Sequence, residues 1–245
     1  MAGAKPKDKL FAEQRGLVKD FNFGKETAAV FDDMLDRSVP FYGEIERMIG
    51  EIAADFARAG TNVYDMGCST CNTFIAMDPF VPSGVRFVGV DSSPEMLKRG
   101  REKLRQYRVE RETDLVCADL NQGVEIKNAS VVVMTLTLQF IRPLYRHKLI
   151  RDIAKGLNEK GALLIVEKLV CENPTVNRLF IKYYYDFKER NGYSRLEIAQ
   201  KREVLENVLI PYRLEENAEM LLHNGFRHCE VFFKWYNFCG LLALK

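Results

Sequence analysis

Two residues in the first half of the chain, Gly67 and Asp91, have types and a spacing that suit the binding of a nucleoside. Gly67 ends a short run of strand-forming residues, 62–66, and Asp91 ends a second such run, 86–90, 24 residues after the glycine. In a strand–turn–helix–strand unit, the glycine lets the backbone approach a ligand closely. The acidic side chain accepts hydrogen bonds from both hydroxyl groups of a ribose. The pattern therefore predicts a nucleoside site.

The turn that follows the first strand reads GCSTCN and contains only the first glycine of the GxGxxG dinucleotide fingerprint. The later glycines of that fingerprint serve the phosphates and close helix packing, so their absence argues against a bound pyrophosphate. A nucleoside without phosphate, such as S-adenosylmethionine, fits better. The structural alternative is that Gly67 is only a turn residue and Asp91 only a helix cap.

The composition is that of a globular chain with balanced charge. The 245 residues are 47% hydrophobic, and 36 Lys and Arg residues nearly balance 34 Asp and Glu residues. One domain with a buried core is expected, with no general attraction to nucleic acid or membranes, although a local basic patch stays open. The longest apolar stretch, 129–141, is shorter than the ~20 residues of a membrane span. We expect no transmembrane helix.

The cysteines indicate a reducing compartment, because no signal peptide precedes them and they are scattered along the chain. Cys68 and Cys71 form a CxxC pair, which could be redox-active or half of a zinc site. No second CxxC and no paired histidines answer it, so buried thiols beside the ligand loop are the favoured reading, with no metal. We expect a cytoplasmic protein. The six cysteines are Cys68, Cys71, Cys117, Cys171, Cys229 and Cys239.

The remaining pattern predicts one α/β domain over residues 21–245, after a charged, aperiodic and mobile start over residues 1–20. Amphipathic helices are expected within 21–35 and from near Pro40 to Gly60, and further helices from Pro94 and over 142–157 and 215–223. The predicted sheet is mostly parallel, so ligands bind beyond the carboxyl ends of its strands. Its later strands are 113–118, 129–138, 161–170 and an antiparallel edge hairpin made by the last two runs, 228–237 and 239–245.

A long segment, 171–212, interrupts this alternation before the last helix. Its aromatic and charged residues recur at helical spacing, and Asn191-Gly192 suggests a turn between two helices. Such an insertion is typical of a helical lid or a dimer surface. Its aromatic residues, predicted to be exposed, favour a homodimer. They are Tyr183, Tyr184, Tyr185 and Phe187.

Together these motifs resemble a known family. The strand pattern with a terminal hairpin resembles the Rossmann-like class I S-adenosylmethionine-dependent methyltransferase fold, with a seven-stranded sheet. More narrowly, the chain from about residue 20 onward resembles the carboxy-S-adenosyl-L-methionine synthases, earlier described as tRNA (cmo5U34)-methyltransferases. The segments that carry the resemblance are DRSVPFY (36–42), YDMGCS (64–69), VGVDSSPEML (88–97), LTLQFI (136–141), GLNEKGALLIVEK (156–168), DFKERNGYSRLEIAQKREVLENV (186–208) and GF (225–226). The 186–208 segment is the most specific of them, because ordinary methyltransferases do not share it.

The resemblance implies a reaction between S-adenosylmethionine and prephenate. Decarboxylation of prephenate supplies carbon dioxide and a base that removes a proton from the sulfonium methyl group, and the resulting ylide attacks the carbon dioxide. The products are carboxy-S-adenosylmethionine and phenylpyruvate. A partner carboxymethyltransferase uses the former to modify the wobble uridine of tRNA, so direct tRNA binding is not required here. The adjacent positive charge stabilises the ylide, so no His, Lys or Cys base is expected.

Ten positions match the ligand contacts of that family. Arg202 would hold the carboxylate of the product, a task suited to its planar, bidentate donors, and Arg202 and Tyr42 are the catalytic candidates. The alternative for Arg202 is a surface arginine on a helix. The ten positions are Tyr42, Gly67, Cys68, Ser69, Asp91, Ser92, Asp119, Leu120, Thr135 and Arg202.

Three positions depart from the pattern of the family. Cys71 stands where a glycine is usual, and this narrows the loop but still permits a nucleoside. Ser92 stands in place of an asparagine and could still offer a hydroxyl group near the adenine. Thr135 also replaces an asparagine, so its ligand contact would be shorter or mediated by water. These departures bear on affinity more than on the type of reaction.

Two other functions stay open at this point. An ordinary methyltransferase acting on tRNA or a small molecule would have no extra carboxylate for Arg202 to pair. A non-catalytic S-adenosyl-binding partner of a tRNA-modifying enzyme is conceivable because of the altered loop at Cys71.

Overall fold

The computed structural model describes residues 6–13 and 22–245, and its centre is one seven-stranded sheet. The strands are β1 (Asn62–Met66), β2 (Arg86–Asp91), β3 (Thr113–Cys117), β4 (Ala129–Thr135), β5 (Leu157–Lys168), β6 (His228–Trp235) and β7 (Phe238–Leu244). Their order is β3-β2-β1-β4-β5-β7-β6. The first five strands pair in parallel, whereas β7 is antiparallel to both β5 and β6. The predicted class I methyltransferase fold is confirmed.

Helices cover both faces of the sheet, and several begin at capping residues that the sequence makes visible. Ser93 Oγ accepts a hydrogen bond from Met96 N (3.2 Å), and Pro94 follows as the first helical residue. Ser194 and Glu197 form a capping box. The helices are α1 (Lys25–Ser38), α2 (Tyr42–Phe56), α3 (Asn72–Met77), α4 (Pro94–Gln106), α5 (Pro143–Gly156), α6 (Pro174–Arg190), α7 (Arg195–Leu205) and α8 (Leu214–His223).

Strand β4 is buried on both faces and divides the apolar core into two halves. Alternate side chains point to opposite faces, so Val131 and Val133 pack with the residues of α2 and α3. Val132 and Met134 pack with those of α5 and α8. This continuous apolar strand fixes the sheet and therefore the positions where its strands end.

Several boundaries differ from the sequence-based prediction; β5, for example, runs from Leu157 to Lys168 rather than over 161–170. Strand β4 ends at Thr135 rather than at Leu138, because Leu136 adopts a left-handed backbone conformation (φ 57°) and a short 3-10 turn follows at Leu138–Phe140. The predicted terminal hairpin forms, and β7 lies between β5 and β6, so of its two strands only β6 lies at an edge of the sheet.

The beginning of the chain is packed where it is described. Most of the predicted mobile start falls on residues 1–5 and 14–20, which lie outside the described residues. Residues 6–13, in contrast, contain the buried side chains of Asp8 and Phe11. Gln200 Nε2 donates to the carbonyl oxygens of Phe11 (2.9 Å) and Glu13 (3.0 Å). For residues 6–13 the prediction of a mobile segment is corrected, because α7 supplies partners for their polar groups.

The insertion contains the two predicted helices, α6 and α7, with their turn at Asn191-Gly192. Its aromatic side chains are not exposed as expected. Tyr184 is buried, and its ring packs against Phe238, whereas Phe187 packs against Trp235. The apolar face of α6 therefore covers the hairpin. Within the described residues, none of the helices combines the length and the apolar character of a membrane span.

Candidate active site

A cavity of about 530 Å³ lies beyond the carboxyl ends of the parallel strands, under α1, α6 and α7. Its volume is within the range of roughly 300–1,000 Å³ that small-molecule sites occupy. The structure brings all ten predicted site residues to this one cavity. They are Tyr42, Gly67, Cys68, Ser69, Asp91, Ser92, Asp119, Leu120, Thr135 and Arg202.

Gly67 occupies a position that no other residue fits. Its φ angle is 88°, in the region that favours glycine, and a Cβ atom there would lie 2.3 Å from Thr137 Oγ1. The backbone after β1 therefore passes directly beside the β4 turn. This close approach exposes the backbone of the loop to the cavity.

The Asp91 carboxylate at the end of β2 is held by two backbone amides. Ser69 N donates to Oδ2 (2.9 Å) and Ser93 N donates to Oδ1 (2.8 Å). Burial raises the pKa of Asp91, and the two amide donors oppose this increase. Each oxygen keeps a second acceptor position, which matches the pair of ribose hydroxyl groups expected from the sequence.

Two hydroxyl groups of the cavity wall have no partner within residues 6–13 and 22–245. They are Ser69 Oγ and Thr135 Oγ1, and both oxygen atoms are buried. A buried hydroxyl without a hydrogen bond is costly, so these positions fit a polar ligand. The donor and acceptor set around them suits a nucleoside with an amino acid side arm.

The adenine side of the predicted site lies at the rim of the cavity. Asp119 Oδ1 accepts hydrogen bonds from Asn121 N (2.9 Å) and Asn121 Nδ2 (2.8 Å), and this fixes the turn that carries Leu120. Leu120 is buried, whereas Ser92 and Asp119 are exposed. An apolar floor beside a polar rim suits a flat heterocyclic base.

The CxxC pair consists of two free, buried thiols. The side-chain hydrogen bond with Cys71 and burial both raise the pKa of Cys68, so a reactive thiolate is disfavoured. Cys71 adopts the left-handed conformation (φ 64°) that a glycine would adopt without strain. Glycines make room for both thiols, since added Cβ atoms would lie 2.8 Å (Gly89) and 2.6 Å (Gly100) from the sulfur atoms of Cys68 and Cys71.

No group of three or more metal-ligating side chains occurs within the residues that the structure describes. The histidines, His147, His223 and His228, do not line the cavity.

A polar network supports Tyr42, which lies at the start of α2. Asn72 Nδ2 donates to the Tyr42 hydroxyl group (3.2 Å) and to Asp32 Oδ1 (3.2 Å). Asp32 pairs with Lys103 Nζ at 2.8 Å, and although burial raises the pKa of Asp32, the ammonium group of Lys103 lowers it overall. Burial and then the Glu46 carboxyl group raise the pKa of Tyr42. The phenol is therefore neutral and suited to hydrogen bonding.

Arg202 lies on α7, where its residue is exposed but still reaches the cavity wall. The same side chain borders a shallower groove between α6 and α7. A guanidinium at the mouth of a cavity is available to an anionic group of a ligand bound inside.

Three lysines that were not among the predicted site residues also line the cavity: Lys168, Lys188 and Lys201. Burial lowers their pKa values to about 8, about 7 and about 8, respectively. Two signals pointed to them: Lys188 follows the apolar Tyr184 by one helical turn, and Lys201 immediately precedes Arg202.

Comparisons with known proteins match part of the chain to a domain family and nearly all of it to named relatives. A family model described as a methyltransferase domain matches residues 63–161. A protein of Methylococcus capsulatus named carboxy-S-adenosyl-L-methionine synthase is 55% identical over 240 residues, covering 98% of this chain and 99% of that protein. A Sulfurimonas denitrificans protein of the same name is 41% identical over 238 residues, covering 97% and 99%.

A solved structure shares the fold. It is that of an O-methyltransferase family protein from Burkholderia thailandensis, with a TM-score of 0.65 and 14% identity, covering 94% of this chain and 65% of that one.

Proposed function

The chain belongs to the carboxy-S-adenosyl-L-methionine synthase family, and on this premise we propose that it converts S-adenosylmethionine and prephenate into carboxy-S-adenosylmethionine and phenylpyruvate. One observation carries the proposal: ten positions, taken from distant parts of the sequence, line a single cavity of suitable volume. The orphaned hydroxyl groups of Ser69 and Thr135 support a polar, nucleoside-like occupant.

The proposed reaction balances without a metal or a redox cofactor. The C–C bond to the ring carboxylate of prephenate breaks, carbon dioxide leaves, and the ring becomes aromatic as it expels hydroxide. Hydroxide takes a proton from the methyl group on sulfur and becomes water, and the ylide carbon forms a new bond to carbon dioxide. The sulfonium charge stabilises the carbanion, and a closed cavity keeps water from protonating it.

Arg202 would pair with the carboxylate that the reaction creates. Its position at the cavity mouth supports this role, since a charge-assisted bond there forms with the product and not with S-adenosylmethionine. Tyr42, held by Asn72, would donate a hydrogen bond to the ligand.

Isotope transfer tests the proposal. Purified protein is incubated with S-adenosylmethionine and prephenate labelled with ¹³C in the ring carboxylate, and the products are analysed by mass spectrometry. The proposed function requires an S-adenosyl product that is heavier by one labelled carboxylate, together with unlabelled phenylpyruvate. Transfer of an unmodified methyl group to tRNA or a small molecule would support the conventional methyltransferase, and binding without turnover would support the non-catalytic partner.

The product would serve a carboxymethyltransferase that modifies the wobble uridine (cmo5U34) of tRNA, in the cytoplasm. All six cysteines are free, which supports a reducing compartment. Incubation of the product with such an enzyme and tRNA tests the link.

A homodimer formed partly by the 171–212 insertion is also proposed. The aromatic residues no longer support it, but Val176 and Leu179 on α6 and Leu196 on α7 are exposed apolar side chains that a second copy would cover. Sedimentation showing only monomer at micromolar concentration would contradict it.

A further inference from the structure

The cavity has a cationic wall, which we call the lysine cluster: Lys168, Lys188 and Lys201. These residues come from three elements, since Lys168 ends β5, Lys188 lies near the end of α6 and Lys201 lies in α7. All three line the cavity. The side chains of Lys188 and Lys201 are buried, and Lys168 is half-buried at the wall. Three ammonium groups therefore converge on one side of the ligand site.

Tyrosine rings contact the ammonium groups. Lys168 Nζ (5.0 Å) and Lys188 Nζ (5.2 Å) both lie near the centroid of the Tyr184 ring. Lys188 Nζ (5.7 Å) and Lys201 Nζ (5.4 Å) both lie near the centroid of the Tyr193 ring. Cation–π contacts at such distances stabilise an ammonium group by less than the desolvation of a buried charge costs.

The acidic partners within the described residues do not balance the cluster. Lys201 Nζ lies 3.8 Å from Asp8 Oδ2 and 3.3 Å from Ser38 Oγ. For Lys168 Nζ and Lys188 Nζ, the described part of the structure gives ring contacts but no carboxylate within ion-pair distance. Buried charges are otherwise paired, so an unbalanced buried cluster at a cavity wall indicates an anionic ligand.

We propose that the lysine cluster binds the 2-oxo acid carboxylate of the second substrate, the group that phenylpyruvate retains. The inference rests on the proposed function, and it assigns a position in the cavity to each of the two carboxylates of prephenate. A cation on the departing ring carboxylate would stabilise the substrate more than the transition state, in which that charge disperses, and would slow decarboxylation. The retained carboxylate keeps its charge throughout, so lysines can hold it without this penalty. The departing carboxylate then lies in the apolar part of the cavity, whose walls include Phe31 and Met34.

Proton uptake gives the assignment a direct signature. Burial, followed by the ammonium groups of Lys201 and Lys168, lowers the pKa of Lys188 to about 7, and Asp8 partly opposes this. For Lys201, burial and Arg37 lower the pKa, whereas Asp8 and Glu197 raise it. A carboxylate that binds beside these groups raises their pKa values, so binding at pH 8 takes protons from the buffer.

The test is calorimetric titration of phenylpyruvate into the full chain at pH 8 in two buffers of different ionisation enthalpy, followed by steady-state kinetics. Wild type should show buffer-dependent proton uptake. Lys188→Met should reduce that uptake to the share of Lys168 and Lys201, and it should weaken phenylpyruvate binding about 10- to 100-fold, as for a lost charge-assisted bond. The KM for prephenate should rise similarly, while the KM for S-adenosylmethionine changes less than about twofold. Lys182→Met, an exposed lysine of the same helix, should match wild type.

Lys168→Met, at the cavity wall, is the second variant, and S-adenosylhomocysteine binding checks the fold of both. Unchanged phenylpyruvate affinity in both folded variants would overturn the proposal, as would a fall in kcat at constant prephenate KM, which would indicate a general base. These outcomes are separable from failure of the proposed function. If wild type forms no labelled carboxy product, the proposed function is wrong. The phenylpyruvate titration still tests whether the lysine cluster binds a 2-oxo acid carboxylate.

Discussion

The hydroxyl group of Tyr193 donates a hydrogen bond of 2.6 Å to Asp8 Oδ2, although the two residues are 185 positions apart. The same carboxylate lies 3.8 Å from Lys201 Nζ, and Asp8 N donates to Asp33 Oδ2 (2.7 Å). The N-terminal segment 6–13 thereby connects α1 with the α6–α7 insertion. Asp8 joins both layers that cover the cavity, α1 through its backbone and the insertion through its carboxylate.

We expect Asp8→Ala to destabilise the fold by about 2–3 kcal/mol, because it removes the acceptor of Tyr193 and the counter-ion of Lys201. The loss is limited because Lys201, whose pKa is already about 8, can release its proton. Urea unfolding at pH 7 measures the effect. Lys9→Ala is the control, since Lys9 is exposed in the same segment. Equal unfolding midpoints for the two variants would contradict the structural role of Asp8.

Lys188→Met should stabilise the protein at pH 7, on the order of 2 kcal/mol, because it removes a buried charge. The pKa of Lys188 is about 7 in the folded state, against 10.5 ordinarily. The unfolded state therefore binds more protons between these values, and the stability of wild type rises with pH. The advantage of the variant should shrink as pH rises from 7 to 10. Thermal unfolding at several pH values measures the stability difference between Lys188→Met and wild type, with Lys182→Met as the control. A difference that does not change with pH, or no difference at pH 7, would contradict the prediction.

Glu46, buried in α2, gives the opposite pH dependence. Burial raises its pKa from 4.5 to about 7 in the folded state. As pH rises from 4.5 to 7, the unfolded state releases this proton first, so the stability contributed by the neutral carboxyl group is lost. Glu46→Gln should therefore show a flatter stability profile over this interval and exceed wild type at pH 8. Chemical unfolding at several pH values measures this, with the exposed Glu51→Gln as control. Parallel profiles of Glu46→Gln and wild type would refute it.

Arg202→Ala should weaken the binding of carboxy-S-adenosylmethionine by about 10- to 100-fold, which is the loss of a charge-assisted pair. The affinity for S-adenosylhomocysteine, which lacks the extra carboxylate, should stay within twofold. Fluorescence or calorimetric titration with both ligands measures the difference. Arg195→Ala serves as control because Arg195 is exposed on the same helix and pairs with Glu189. An equal loss of affinity for both ligands would show that Arg202 does not pair with the extra carboxylate.

Gly100→Ala should destabilise the protein by about 1–3 kcal/mol, because the new Cβ would lie 2.6 Å from Cys71 Sγ. Replacement of Cys71 by glycine in the Gly100→Ala variant should restore most of the lost stability. It removes the sulfur atom, and glycine adopts the left-handed backbone conformation at this position without strain. A double-mutant cycle by thermal unfolding measures the coupling. Gly43→Ala, where a Cβ meets no atom within 4 Å, should instead be neutral or stabilising. Additive losses would disprove the contact.

Local rules accounted for the sheet and for the convergence of the predicted positions. Asp91, Asp119 and Thr135 were predicted to lie close together because each follows or ends a parallel strand, and the carboxyl ends of parallel strands lie at the same edge of the sheet. The lysine cluster escaped prediction because burial of Lys188 and Lys201 depends on how α6 and α7 fold back over the sheet. Periodicity along one helix carries no information on that docking. Tyr184 was misjudged for the same reason, since its exposure is decided by Phe238 in the last strand.

The position of β7 has a consequence for biosynthesis. Strand β5 obtains its second neighbour only from β7, which follows the entire α6–α7 insertion in the sequence. A ribosome must therefore release residues 238–244 before the exposed border of β5 is covered and before Phe238 can support Tyr184. Nascent chains halted earlier would display a bare, aggregation-prone strand and an unsupported active-site wall, which makes them natural clients for chaperones.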